Sequence, residues 1–482
     1  MKKYLDKYKG LSSPVKATFW FTICNLVLKG ISFVTVPIFT RMLPDNEYGI
    51  LSIYLSYEQI IMILATWEIQ NGAYQKGIFK YKNDITKFTI ATQTLTNLLT
   101  IIFFVIAFSF WPITENLTKM PREVFVLLML YMIVQPAYTC WLIRKRTSYQ
   151  YQPAVVVTII YTLANVIVPM LAIIKINNTA VIKYEATLIS SIVICGIFYF
   201  RNFNCRLIVK EWKIIKKQWI FLIRFEAPLV LHSLSYLILN QADRIMIGAM
   251  VGNSQAAYYS VAYSLASVVN IFQNSINQAL LPWRYEMLEK KQYKKISDVT
   301  TYLLLGMAGI VLLVILIVPE VMKLLFTRNY YEAVWSIPPI TLGVYFMFLY
   351  TIFVNIESYF EKTQYIMYVS VSCGIINIVL NYICIKLFGY IACGYTTLIS
   401  YILFACGHYY FMNKILQKEI QGIQVVNKNS ILIISIMVIV VSLFVTIIYP
   451  YMLVRYGVVC VLIICVLKNK NRISKFVRSL KM

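Results

Sequence analysis

Acidic residues are scarce in this chain: Asp and Glu number 20 in 482 residues, 13% of positions are charged, and there are two histidines. An ordinary soluble domain is about 25% charged, so composition nearly excludes a soluble enzyme. His232 and His408 have no companion at metal-ligand spacing and read as satisfied structural residues. The ten cysteines (Cys24, Cys140, Cys195, Cys205, Cys373, Cys384, Cys393, Cys406, Cys460 and Cys465) show no metal-like or redox-like spacing, and nearly all fall inside apolar runs as small apolar residues. No Gly-Lys dipeptide occurs, which removes a Walker A loop and with it ATP as the energy source. No cofactor is expected.

What the chain has is apolar length. Hydrophobic residues make up 60%, and a bilayer core of roughly 30 Å needs about 20 consecutive apolar helical residues. Fourteen such stretches follow one another: 15–39, 49–72, 88–111, 124–143, 153–174, 182–200, 219–242, 255–281, 299–318, 334–356, 365–387, 389–412, 430–449 and 451–467. The eighth carries many polar residues, and the last two share a break at Pro450. The first is too long for a signal-peptide core and lacks a small-residue cleavage site, so it reads as retained. The expectation is an all-α polytopic membrane protein of about 14 transmembrane helices.

Lys and Arg number 45, for a formal charge of +25. In a soluble protein that would suggest nucleic acid. Here the segments between spans alternate, and 33 of the 45 fall on the side of the amino terminus against ten on the other. By the positive-inside rule both termini are cytoplasmic, and the basic excess sets orientation rather than marking a nucleic-acid partner.

Transporters are often duplicated, and one register stands out at an offset of 208. Leu43–Ser56 lies over Val251–Ser264 without a gap. The polar stripe Ser52, Ser56, Gln59, Thr66 and Gln70, at steps of three or four or their sum, reappears as Ser260, Ser264, Ser267, Asn274 and Gln278. Spans one and seven are the leading helices, with Asn25 and Lys29 on the polar face of the first and Glu226, Ser233 and Asn240 on that of the second. The stripe must face protein or water, as interhelical hydrogen bonds or as a hydrated cavity. The repeat predicts two pseudo-symmetric six-helix lobes (1–200 and 219–412) enclosing a cleft, a basic amphipathic linker at 201–218 lying on the cytoplasmic leaflet, and two further helices with a basic tail at 413–482.

Ionisable groups inside spans mark a transport path or a buried pair. Lys29 and Glu58 either pair with each other or divide the work, Lys29 attracting an anionic substrate and Glu58 taking up a proton or cation. Arg224 with Glu226, and Asp243 with Arg244, flank span seven as anchors or salt bridges. Otherwise Arg224, Arg244 and Arg41 form a ladder of guanidinium groups for a diphosphate, with Asp243 as a second ion-coupling candidate.

Pro37-Ile38-Phe39-Thr40-Arg41-Met42-Leu43-Pro44-Asp45-Asn46-Glu47-Tyr48-Gly49 and Asn240-Gln241-Ala242-Asp243-Arg244-Ile245-Met246-Ile247-Gly248 resemble signatures of the bacterial polysaccharide transporter family. Its members include Wzx-type O-antigen and capsule repeat-unit flippases, in a superfamily shared with MATE antiporters and the lipid II flippase. The resemblance implies a non-enzymatic flippase in the bacterial cytoplasmic membrane. It would move undecaprenyl-diphosphate-linked oligosaccharide repeat units by alternating access, with membrane lipids, a polysaccharide polymerase and a chain-length regulator as candidate partners. By position, Arg41 and Arg244 would meet the diphosphate. A multidrug or cation antiporter is the nearest alternative, and a membrane-embedded polymerase or glycosyltransferase the more distant one, since no exterior loop is large enough to shape an active site.

Overall fold

In lipid an apolar run must satisfy every backbone N–H and C=O within itself, which a helix does. The computed structural model, described for residues 13–202 and 205–468, contains eighteen α-helices and no strand among those residues. The outermost basic residues of both termini, and Phe203 of the linker, lie outside them. The first ten helices are α1 (Ser13–Met42), α2 (Asp45–Thr66), α3 (Ala73–Lys80), α4 (Ile85–Ser109), α5 (Trp111–Thr118), α6 (Arg122–Thr147), α7 (Tyr151–Lys175), α8 (Ala180–Asn202), α9 (Cys205–Lys210) and α10 (Trp212–Met250). After them come α11 (Asn253–Ala266), α12 (Val268–Glu289), α13 (Tyr293–Leu325), α14 (Ile337–Tyr359), α15 (Thr363–Phe388), α16 (Ala392–Ile420), α17 (Lys428–Ile447) and α18 (Met452–Lys468).

Among the described residues, eleven helices are long and apolar enough to cross a membrane. The eighth expected span is instead two helices, α11 and α12, divided at Ser267. There the Ser264 and Ser267 hydroxyls donate back to the carbonyls of Ser260 and Ser264 at 2.8 and 2.7 Å, bonds of a kind that bends helices. The twelfth span (α16) and the fourteenth (α18) are also helices outside the eleven, α16 because polar residues including Thr396, Thr397, Ser400 and His408 lower its hydropathy, α18 because it has 17 residues. The repeat register appears at the helix ends: α1 stops at Met42 and α10 at Met250, α2 starts at Asp45 and α11 at Asn253, each pair 208 apart.

The chain divides into two compact units, residues 1–257 and 258–482. In the first, α6 packs on α8, α7 on α8, and α2 on α10. Tyr74, Phe88, Cys140 and Leu222 centre a core among α3, α4, α6 and α10. The threonines of α4 are accommodated because Thr89, Thr92 and Thr96 donate to carbonyls one turn back. Within the linker, residues 205–210 form the short helix α9, and residues 212–218 are the first turns of the 39-residue α10, about 58 Å long at 1.5 Å per residue. Its apolar face turns onto α4, with Ile215 buried and the Trp219 indole donating to the Ala91 carbonyl at 2.9 Å.

In the second unit 83% of the residues in the apolar stretch of segment 328–359, which contains α14, are buried, whereas the share for α7 in the first is 17%. α14 is therefore a central helix of its unit, and α7 is mostly uncovered within its own. The Arg455 guanidinium, buried, holds α18 to α13 with bonds to the two Glu320 oxygens at 2.7 and 2.6 Å and to the Leu316 carbonyl at 3.0 Å. Arg455→Ala is expected to lower stability by about 1.5–3 kcal/mol, read as a lower melting temperature in detergent. Arg455→Lys should recover only part, since an ammonium cannot reproduce the bidentate fork.

Candidate functional site

The polar stripe of α2 meets α10 directly. Ser56 Oγ donates to Gln241 Oε1 at 3.2 Å, Gln241 Nε2 donates to Gln59 Oε1 at 2.9 Å, and Arg244 donates to Gln241 Oε1 and to the Asn240 carbonyl. Four polar side chains, Ser56, Gln59, Gln241 and Arg244, thus form one network inside a pair of apolar helices. Ser52 is buried and bonds to its own helix through the Gly49 carbonyl. The stripe stops at Thr66, where α2 ends, and Trp67 and Glu68 both take the left-handed conformation (φ 55 and 49). Gln70 therefore falls in the turn beyond the helix, buried and off the stripe.

One helical turn further along, α2 and α10 enclose a cavity of 310 Å³, lined by Glu58, Gln59, Glu68, His232, Ser233 and Tyr236 among others. Its ionisable lining has two carboxylates and no Lys or Arg. Glu58 does not pair with Lys29. Its Oε2 accepts the Tyr184 hydroxyl of α8 at 2.8 Å, and buried Lys183 is within electrostatic reach, while Lys29 is exposed on α1. Lys183 also sits 5.0 Å from the Phe39 ring centroid. Sequence reading counts Lys183, at the edge of the sixth stretch (182–200), among the basic residues of the exterior side and does not single it out. The signal available was helical phase: α8 begins at Ala180, so Lys183 and Tyr184 are already one turn inside it.

The two signature segments prove to be where α2, α10 and α11 are fitted together. Asn46 Oδ1 accepts from Asn253 Nδ2 at 3.1 Å. Glu47 Oε2 accepts the Ala180 backbone N–H at 2.7 Å, putting a carboxylate at the positive end of α8. Glu47→Ala should cost about 0.5–2 kcal/mol, measured by thermal melting. Buried Tyr48 lies within electrostatic reach of Arg244, and Gly248 packs on Ile53.

Other candidates are dispersed. Asn25 and Arg41 are exposed, and Asp243 and Asn240 are buried. Arg224 is exposed in a separate 400 Å³ cavity with Lys80 and Lys217. Glu226 is buried and accepts the Ala73 N–H at 2.7 Å, so it stabilises the start of α3. In the repeat, Ser260 is buried, Ser264 half-buried, and Asn274 and Gln278 exposed. One site was missed altogether: Glu357 on α14, one residue beyond the tenth expected stretch (334–356), is fully buried with its carboxylate 3.1 Å from His408 Nδ1 on α16. No group of three or more His, Cys, Asp or Glu suited to a metal ion occurs among the described residues.

Comparison with known proteins gives consistent matches. A family model described as "Polysaccharide biosynthesis protein" matches residues 15–288, and the MatE model matches residues 228–383. An uncharacterized membrane protein of Haemophilus influenzae is 24% identical over 368 residues, which is 74% of this chain and 87% of that protein. Among solved structures, the lipid II flippase MurJ in an inward closed conformation superposes with a TM-score of 0.64 at 13% identity, covering 91% of this chain and 99% of its own. An inward-facing multidrug resistance MATE family transporter of the MOP superfamily gives a TM-score of 0.60 at 13% identity, with 83% and 99% covered.

Proposed function

Because the chain belongs to the polysaccharide biosynthesis protein family, within the MOP superfamily of flippases and transporters, we propose that it flips polyprenyl-diphosphate-linked oligosaccharide repeat units across the cytoplasmic membrane by alternating access. The observation that carries this reading is the polar network Ser56, Gln59, Gln241 and Arg244 within two apolar helices. Polar groups in a membrane interior are expensive and are retained where they serve a polar path. Hydroxyl and amide groups suit sugar hydroxyls, Arg244 suits a diphosphate oxygen, and the polyprenyl chain stays in lipid. The polymerase and chain-length regulator of the same biosynthesis are the partners this reading implies.

The experiment is reconstitution into vesicles with a fluorescent lipid-linked oligosaccharide, followed by leaflet accessibility. Arg244→Ala and Gln241→Leu are expected to slow translocation at least tenfold at equal protein level, while Lys29→Ala tests whether the exposed α1 cation meets the same substrate. No translocation by the unaltered protein would overturn the reading.

One observation favours a second reading. The cavity beside the network presents Glu58 and Glu68 without a Lys or Arg, a lining suited to a cation. In a cation antiporter these carboxylates would bind the exported cation; in the flippase, Glu58 would bind the coupling ion. Export of a cationic dye without movement of the lipid-linked sugar selects the antiporter.

A further inference from the structure

A third cavity in the first unit, of 570 Å³, opens where the last turns of α6 and α8 meet the start of α4. Its lining includes Lys82, Arg144, Lys145 and Arg201 and no Asp or Glu. Among the described residues none of the four forms a salt bridge: Lys145 donates to the Gln150 side chain and lies 6.0 Å from the Trp141 ring centroid, and the acids of this region are engaged elsewhere, Asp84 and Glu211 with Lys87. Arg144 and Arg201 suit helix C-termini, where cations are favoured. That role does not explain why four cations converge on one cavity, since like charges gathered at a low-dielectric surface repel one another until an anion joins them.

The walls identify the anion's carrier. Trp141 and Phe198 pack at 4.6 Å, and Phe79, on the lining, is 70% exposed. Ile197 and Phe200, within one turn of Arg201, are 63% and 76% exposed on α8. An apolar surface leading directly out of a cationic cavity fits a phosphate group attached to acyl chains rather than a free phosphate in water. All four cations are on the side that the distribution of basic residues marks as cytoplasmic.

We propose that this cavity is a binding site for the phosphate headgroup of an anionic phospholipid of the cytoplasmic leaflet, separate from the α2–α10 network and independent of what the protein translocates. Arg144 and Arg201 supply the bidentate phosphate contacts, Lys82 and Lys145 add charge, and Phe79 lies along the first carbons of an acyl chain.

The test uses the full-length protein, stripped of lipid in detergent and titrated with phosphatidylglycerol, phosphatidylethanolamine or inorganic phosphate while native mass spectrometry counts bound molecules. Phosphatidylglycerol should bind at least tenfold more tightly than phosphatidylethanolamine. Arg144→Gln with Arg201→Gln should remove about tenfold of that affinity, and the paired Arg→Lys variant should keep most of it. If the Gln pair does not fold, Lys82→Gln with Lys145→Gln carries the same expectation. Lys80→Gln with Lys217→Gln, in the neighbouring basic cavity, should leave binding unchanged. Equal affinity for the two lipids, unchanged binding in both cavity variants, or an equal loss in the Lys80/Lys217 control would overturn the proposal. Tight binding of inorganic phosphate that phosphatidylglycerol does not displace would assign the cavity to a soluble phosphate and overturn the lipid.

Discussion

Gly49→Val is expected to abolish accumulation of folded protein, and Gly49→Ala to come close. A Cβ built on Gly49 lies 1.8 Å from the Asn253 carbonyl oxygen and 2.4 Å from its carbon. Both are backbone atoms at the start of α11, so no rotamer change relieves the overlap. Relief requires moving α11 away from α2, which also separates Asn46 from Asn253. Penalties beyond 4–5 kcal/mol are exceptional for single substitutions, and overpacking against backbone is one of the few routes to them. Gly248→Ala is the control. Its Cβ meets the end of the Ile53 side chain, 2.3 Å from Cδ1, and rotation of that side chain holds the cost to about 1–3 kcal/mol. Fluorescence-detected size exclusion of tagged variants should show Gly248→Ala as a monodisperse peak with a lowered melting temperature and Gly49→Val as aggregate or nothing. Comparable peaks for both would mean that the α2–α11 contact yields easily.

These glycines show what was legible in the sequence and what was not. The segment Leu43–Gly49 was recognisable as an element, and the 208-residue register matched the turn before the second stretch to the turn before the eighth, where the structure starts α2 at Asp45 and α11 at Asn253, because hydrophobic length and turn residues are local properties. That Glu47 would sit at the start of α8, or Gly49 against Asn253, depends on partners far along the chain and has no local signal. The same divide runs through the charges. Glu58 was identifiable as an intramembrane carboxylate from its position alone, but its partners Tyr184 and Lys183 come from α8 rather than from Lys29. Glu226 stood out by the same logic and turned out to stabilise the start of α3. Hydropathy says that a charge needs compensation. It does not say which helix supplies it.

Glu357→Ala should be among the most damaging substitutions in the second unit. Glu357 and His408 are both fully buried, with Nδ1 at 3.1 and 3.2 Å from the two carboxylate oxygens. The imidazole is enclosed by Phe404 at 4.7 Å and Tyr350 at 5.6 Å between ring centroids, and its Nε2 has no hydrogen-bond partner among the described residues. Whichever member of the pair carries the proton, removing the carboxylate strands a buried polar ring among aromatics. Breaking a buried pair from one side costs about 3–5 kcal/mol if it is ionic and about 1–3 kcal/mol if it is neutral, so the size of the loss reports the charge state. Glu357→Gln keeps an acceptor and should cost less than Glu357→Ala. Replacing both partners with leucine removes the stranded group, and the double variant Glu357→Leu/His408→Leu should melt above the single Glu357→Leu. Such a coupling, read as a double-mutant cycle in detergent, is expected only if the two side chains depend on each other. Additive losses would mean that each is held by its surroundings independently. If the double variant folds well but no longer supports translocation of a lipid-linked oligosaccharide, the pair serves transport rather than stability alone, since buried ionisable groups in a membrane are retained chiefly where they function.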